Sequence, residues 1–256
     1  MQIAVAGNDI AGLTLALRLR IKGHDVTVHD LDVASPIDVS SPIDDVFTVV
    51  APYRDLFLKS GIALDEVIGI SPVLTPFSVG RISVPSSGAQ APAIAEALGD
   101  DAAREWSAFL EGAADTWSRI RLDRFVARRP LQKELRRALR MPELRDLASA
   151  FAPEADVLSD AGVVFPYLVQ TFGRWRFEGG VAQFTEVLRT RCSDLGVLLS
   201  TSPAPTDALS VDRHFEAAFS APKSWFKRSC GITTQRLGIP FIGMAAETMA
   251  DRIGRA

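Results

Sequence analysis

The chain has 256 residues, 47% of them hydrophobic and 23% charged, with a formal net charge of -3. That balance is normal for a soluble globular protein of one large or two small domains, and it excludes the strongly basic domain of a nucleic-acid binder. Two cysteines (Cys192, Cys230) and three histidines (His24, His29, His214) imply neither a disulfide framework nor a metal site, so a reducing cytoplasm is the expected compartment.

The start, MQIAVAGNDIAG, lacks the basic and long apolar regions of a secretory signal. Gln2 to Ala6 reads as a short buried strand, followed by a Gly-containing turn. Leu13 to Ile21 reads as a helix that Gly23 ends, and Asp25 to His29 alternates like a second strand ending at Asp30. This strand-turn-helix-strand unit is the opening of a doubly wound parallel sheet. Val33 to Pro52 reads as loop with a short strand at Val46 to Val50. Tyr53 to Ser60 reads as helix, Val73 to Val84 as sheet, and Ala91 to Arg140 as mainly helical. The apolar run Ala161 to Val169 contains Pro166 and is far short of the ~20 residues a bilayer span needs, so no transmembrane segment is expected. Thr171 to Phe177 reads as a strand, Val181 to Leu195 as a helix and Val197 to Leu199 as a strand. Ser202 to Asp207 reads as loop, and a closing helix runs from Phe241 to Ile253.

Gly7-Asn8-Asp9-Ile10-Ala11-Gly12 follows a strand and opens a helix, as a dinucleotide fingerprint G-x-G-x-x-G does. Gly7, Gly12 and the acid Asp30 match, but Asp9 stands where the second glycine lets the backbone approach a pyrophosphate. Two readings of Asp9 are compatible: it repels a dianion, and it caps the following helix.

The segment AVAGNDIAGLTLALRLRIKGHDVTVHD resembles the N-terminus of phytoene-desaturase-type flavoproteins of the amine-oxidase superfamily. TVVAPYRDLFLKSGIAL is similar to the segment that follows in bacterial carotenoid desaturases, and GRWRFEGGVAQFTEVLRTRCSDLGVLLST to their G-x-W-x-x-x-GG strand-turn-helix. RLGIPFIGMAAETMADRIGRA resembles their C-terminal flavin-contacting turn and closing helix. The resemblance implies an α/β fold: a Rossmann-type FAD/NAD(P)-binding-like sheet domain with a reduced, mainly helical substrate-domain part. It divides the chain into 1–50 (first part of the Rossmann-type domain), 51–175 (mainly helical substrate part) and 176–256 (remainder of the Rossmann-type domain with the C-terminal helix). It assigns flavin contacts to Gly7, Gly12, Asp30 and Gly238, vestigial unless FAD binds. The family's Gly-Gly-Arg motif is absent: LDVASPIDVSSPIDD stands there, and Val46-Phe47 replaces a Gly-Pro. Family members are also far longer. These losses together point to a relative without its flavin.

Cys230, in KSWFKRSCGITTQ, falls by resemblance where the family's backbone meets the flavin ring. Lys227 and Arg228 are the kind of neighbours that lower a thiol pKa, although free cysteine is also common apolar filler. Cys192 reads as core or surface. The basic stretch Arg119 to Arg145, with Arg136, Arg137 and Arg140, is either a solvated helix face or a docking patch for an acidic partner such as an acyl carrier protein. Phe165, Tyr167, Phe172 and Trp175 border the substrate cavity by resemblance; ordinary core packing is the other reading. The expected function is a cofactor-independent E/Z (cis/trans) isomerase of a conjugated polyene acyl chain, carrier-bound, in polyketide secondary metabolism, with Cys230 as catalytic thiol. A compact FAD-dependent desaturase or oxidoreductase and a non-catalytic partner subunit are the alternatives.

Overall fold

The computed structural model describes residues 1–30, 45–119, 139–151, 164–211 and 238–256. Arg136, Arg137 and Cys230 lie outside them. The chain divides into two compact units, Met1–Ser71 with Arg176–Ala256, and Pro72–Trp175. The boundaries expected from the sequence fall at residues 50/51 and 175/176.

The first unit begins with β1 (Gln2–Ala6), α1 (Ile10–Ile21) and β2 (Asp25–Asp30). β1 and β2 pair in parallel from Gln2↔Asp25 to Ala6↔His29, so α1 is the crossover between them. Every residue of α1 from Ile10 to Leu19 is buried, because α8 (Gly180–Asp194) and α9 (Ile239–Ile253) both pack on it. Such burial suits a mostly apolar helix, and its one buried charge, Arg18, is paired with Asp55 and Glu247. β8 (Leu198–Pro203) follows α8 and pairs parallel to β2, giving the order β1-β2-β8. The register shifts between His29 and Asp30, a β-bulge at the carboxyl end of the ladder. Leu209 bridges Val5 in parallel. The fold is thus mixed α/β around a parallel sheet.

The remaining elements of this unit are β3 (Val46–Phe47), α2 (Ala51–Lys59) and α3 (Leu64–Val67), with β4 (Ile70–Pro72) and β7 (Trp175–Phe177) where the chain leaves and returns. Their core is aromatic. Phe177 stacks on Phe184 with centroids 4.0 Å apart, and Tyr53 meets Phe184 edge-on at 5.0 Å.

The second unit holds the hairpin β5 (Phe77–Val79) and β6 (Ile82–Val84), then α4 (Ala91–Leu98), α5 (Asp100–Arg119), α6 (Pro142–Ala150) and α7 (Phe165–Phe172). Its core gathers Trp106, Phe109, Leu147 and Phe151. The fully buried Trp106 Nε1 donates to Gln90 Oε1 at 3.1 Å.

Two sequence expectations are corrected. Thr171 and Phe172 end a helix rather than begin a strand. Pro166 occupies the first turn of α7, buried Leu168 and Val169 face the core, and Gly173 at φ 70 stops the helix. β8 also runs on to Pro203, through residues expected as loop.

Candidate functional site

Gly12 sits where α1 meets the turn after β1. A Cβ there would lie 1.8 Å from the Gly7 carbonyl oxygen, so only glycine lets the helix start this close to the strand end. The Gly7 amide donates to His29 O at 2.9 Å, tying the turn to β2. Asp9, in extended conformation, is the N-cap: its Oδ1 accepts from the Gly12 amide at 2.9 Å. A carboxylate there is stabilised by the free amides and positive end of the helix dipole.

That end of the helix is where a bound phosphate would take its hydrogen bonds. The chain's own anion already holds it. A phosphate brought within ~4 Å of Asp9 would meet a like charge costing about 1 kcal/mol in water and about 4 at a partly buried site. The residues present do not fit a dinucleotide pyrophosphate on this turn.

Arg189 of α8 closes the turn from the other side. Its Nε donates to Asn8 Oδ1 at 3.3 Å and its Nη2 to Asn8 O at 3.2 Å, while Nη1 pairs with Glu186. No sequence signal gives this clamp, since the partners are 181 residues apart. Asp45 caps α8 in the same manner from outside the helix, its Oδ1 accepting from the Val181 amide at 2.8 Å. Asp30 is half-buried at the end of β2, and its carbonyl accepts from Ala204 N at 3.2 Å.

Gly238 is the N-cap of α9 at φ 79, and its carbonyl accepts from the amides of Phe241 and Ile242. The buried Tyr53 hydroxyl donates to Ile239 O at 3.0 Å, pinning the start of α9 to α2. Burial pushes the Tyr53 phenol far above its ordinary range and keeps it protonated.

Gly7, Gly12, Asp30 and Gly238 therefore belong to the first unit. The four aromatics belong to the second. Phe165 and Tyr167 pack against its core, Phe172 is 37% exposed, and Trp175 Nε1 donates to Phe172 O at 2.6 Å. The rings of Tyr167 and Phe172 meet edge-on at 6.5 Å. Arg140 is exposed; its amide donates to Glu105, and its carbonyl accepts from Arg145 Nη2 at 2.6 Å. Cys192 is fully buried on α8, its Sγ 3.5 Å from Leu13 O. Burial pushes this thiol up to about 12 against the opposing effect of Arg189, so it stays protonated and unreactive at neutral pH.

Among the described residues no cluster of His, Cys, Asp and Glu could hold a metal ion, and no helix is long and apolar enough to cross a membrane. No protein-family model matches the chain, and no curated protein matches it. Among solved structures it is similar to the crystal structure of an oxidoreductase from Methanosarcina mazei, at 14% identity and a TM-score of 0.39. That alignment covers 78% of this chain and 51% of the other, so the chain spans about half the length of that protein.

Proposed function

We propose that this chain is a cofactor-independent E/Z isomerase of a conjugated polyenoyl thioester, working on a Rossmann-type framework without flavin. The observation that carries the reading is the Asp9 carboxylate on the amino end of α1, where a cofactor phosphate would have to sit. Hydride chemistry belongs to a redox cofactor, whereas a thiol alone suffices for isomerisation. In the proposed cycle the Cys230 thiolate adds to the conjugated chain, forming a C–S bond while the π electrons move onto the thioester oxygen. The former double bond, now single, rotates. The electrons then return, the C–S bond breaks, and the other isomer leaves with the thiolate restored. Arg136, Arg137 and Arg140 would receive the acidic carrier protein.

The test is chromatographic separation of E and Z isomers of a polyenoyl thioester after incubation with protein. Cys230→Ser should fold normally and abolish conversion, because a serine hydroxyl is a far weaker nucleophile at neutral pH. Turnover at the wild-type rate would exclude thiol addition.

A second reading, a compact FAD-dependent desaturase, is favoured by the retained close packing of Gly12 on Gly7 and by Asp30 at the end of β2. Flavin extraction from denatured protein separates the two. Stoichiometric FAD would replace the first reading by the second.

A further inference from the structure

The carboxyl edge of the parallel sheet carries a polar chain that the isomerase reading does not use. His29 of β2 pairs with Ser200 of β8 just before the register shift, after which Asp30 pairs with Pro203. His29 Nδ1 lies 3.2 Å from Ser202 Oγ, and Ser202 Oγ lies 2.6 Å from Ser200 Oγ. The Ser202 amide donates to Ser200 Oγ at 3.2 Å. Ser202 is exposed, and His29 and Ser200 are half-buried.

One direction of donation gives both serine hydroxyls an acceptor within this chain. With the ring proton on Nε2, Nδ1 accepts from the Ser202 hydroxyl. Ser202 in turn accepts from the Ser200 hydroxyl, and Ser200 accepts from the Ser202 amide. In the reverse direction the last hydroxyl, on Ser200, has no acceptor among these groups. In that direction an exposed serine hydroxyl faces an imidazole nitrogen at 3.2 Å, the geometry of a nucleophile with its general base. It stands at the carboxyl ends of parallel strands, the edge where open α/β sheets bind ligands. The register shift beside it leaves Thr201 and Ser202 between the β8 residues that pair with His29 and Asp30.

We propose that Ser202, with His29 as its general base and Ser200 holding its oxygen, is a second reactive site that accepts acyl groups from activated esters and thioesters. Ser202 Oγ forms a bond to the acyl carbon while its proton passes to His29 Nδ1. The bond from that carbon to the leaving thiolate or phenolate then breaks, and the imidazolium returns the proton to the leaving group or to solvent. No oxidant or reductant is involved. The step is independent of Cys230.

The probe is p-nitrophenyl acetate, with release of p-nitrophenol followed alongside intact mass and peptide mapping. Neutral hydroxylamine strips thioesters, so acylation that survives it lies on oxygen or nitrogen. The wild-type protein should gain one such acetyl group on the peptide containing Ser202. Ser202→Ala should lose it. His29→Asn keeps a side chain that can hydrogen-bond to Ser202 but removes the base, and should slow acylation by about a hundredfold or more. Circular dichroism of both variants checks that the sheet is intact. Absence of stable acetylation, an acetyl group mapped elsewhere, or a His29→Asn rate equal to wild type would each overturn the site. None of these outcomes bears on double-bond isomerisation, which Cys230→Ser tests separately.

Discussion

A carboxylate on the first amides of a helix is a good cap and a poor neighbour for a phosphate, and Asp9 is both at once. Asp9→Gly should cost only a few tenths of a kcal/mol, because glycine is itself a tolerated N-cap. It should not bring tight FAD binding, since the chain also lacks the Gly-Gly-Arg segment of the flavoproteins its sequence resembles. Fluorescence titration with FAD measures this, and micromolar affinity would show that Asp9 alone keeps flavin out. The Asp9 cap was legible in the sequence, because the cap position follows from the strand-to-helix transition. The Arg189 clamp was not, because nothing local links residue 8 to residue 189. Cys192 gives a pH prediction. Its pKa rises from 9.0 to about 12 on folding, so the unfolded chain gives up this proton first as pH increases. The associated stability is complete below pH 9 and is lost as pH approaches 12, at a slope approaching about 1.4 kcal/mol per pH unit. Urea unfolding of wild type and Cys192→Ala across that range isolates it. Equal slopes for the two proteins would mean that the thiol is not buried as described.

Among the elements, those with a strong period and clear punctuation were readable: α1, β2, α8 and α9 lie within a few residues of their expected spans. Of the expected strand from Thr171 to Phe177, Trp175–Phe177 forms β7, whereas Thr171 and Phe172 end α7, because aromatic residues suit strands and helices equally when the run is short. Pro166 and Gly173, which bracket α7, carried the deciding information. Two glycines at helix starts show why residue identity alone is ambiguous. Gly12 is needed for space, since an added Cβ would strike the Gly7 carbonyl oxygen at 1.8 Å. Gly238 is needed for conformation: nothing lies within 4 Å of its added Cβ, but its φ is 79. Gly12→Ala should therefore cost about 3 kcal/mol or more through backbone displacement, against about 1 for Gly238→Ala. Thermal unfolding of the two variants orders them. A smaller loss for Gly12→Ala would show that the turn can open, and with it the route for a phosphate.

At the scale of the whole molecule, a chain of net charge -3 concentrates positive charge in one stretch. Between Arg119 and Arg145 there are ten basic residues and three acidic ones, so the remainder is clearly acidic. Such separation was legible from the sequence, because charge needs no fold to be counted. Which face the stretch presents was not, because that depends on the placement of residues such as Arg136 and Arg137. A concentrated patch speeds encounter with an oppositely charged partner more than it tightens the final complex. If the partner is an acidic carrier protein, replacing Arg136 and Arg137 by Glu should slow association while leaving dissociation nearly unchanged. The difference should be large at ~0.01 M salt, where charges act over about 30 Å, and small at ~0.15 M, where they act over about 8 Å. Stopped-flow association at the two ionic strengths measures it. A solvated helix face with no partner would give the same rate for both proteins at low salt, and that result would remove carrier docking by this stretch while leaving the isomerase chemistry to be judged on Cys230.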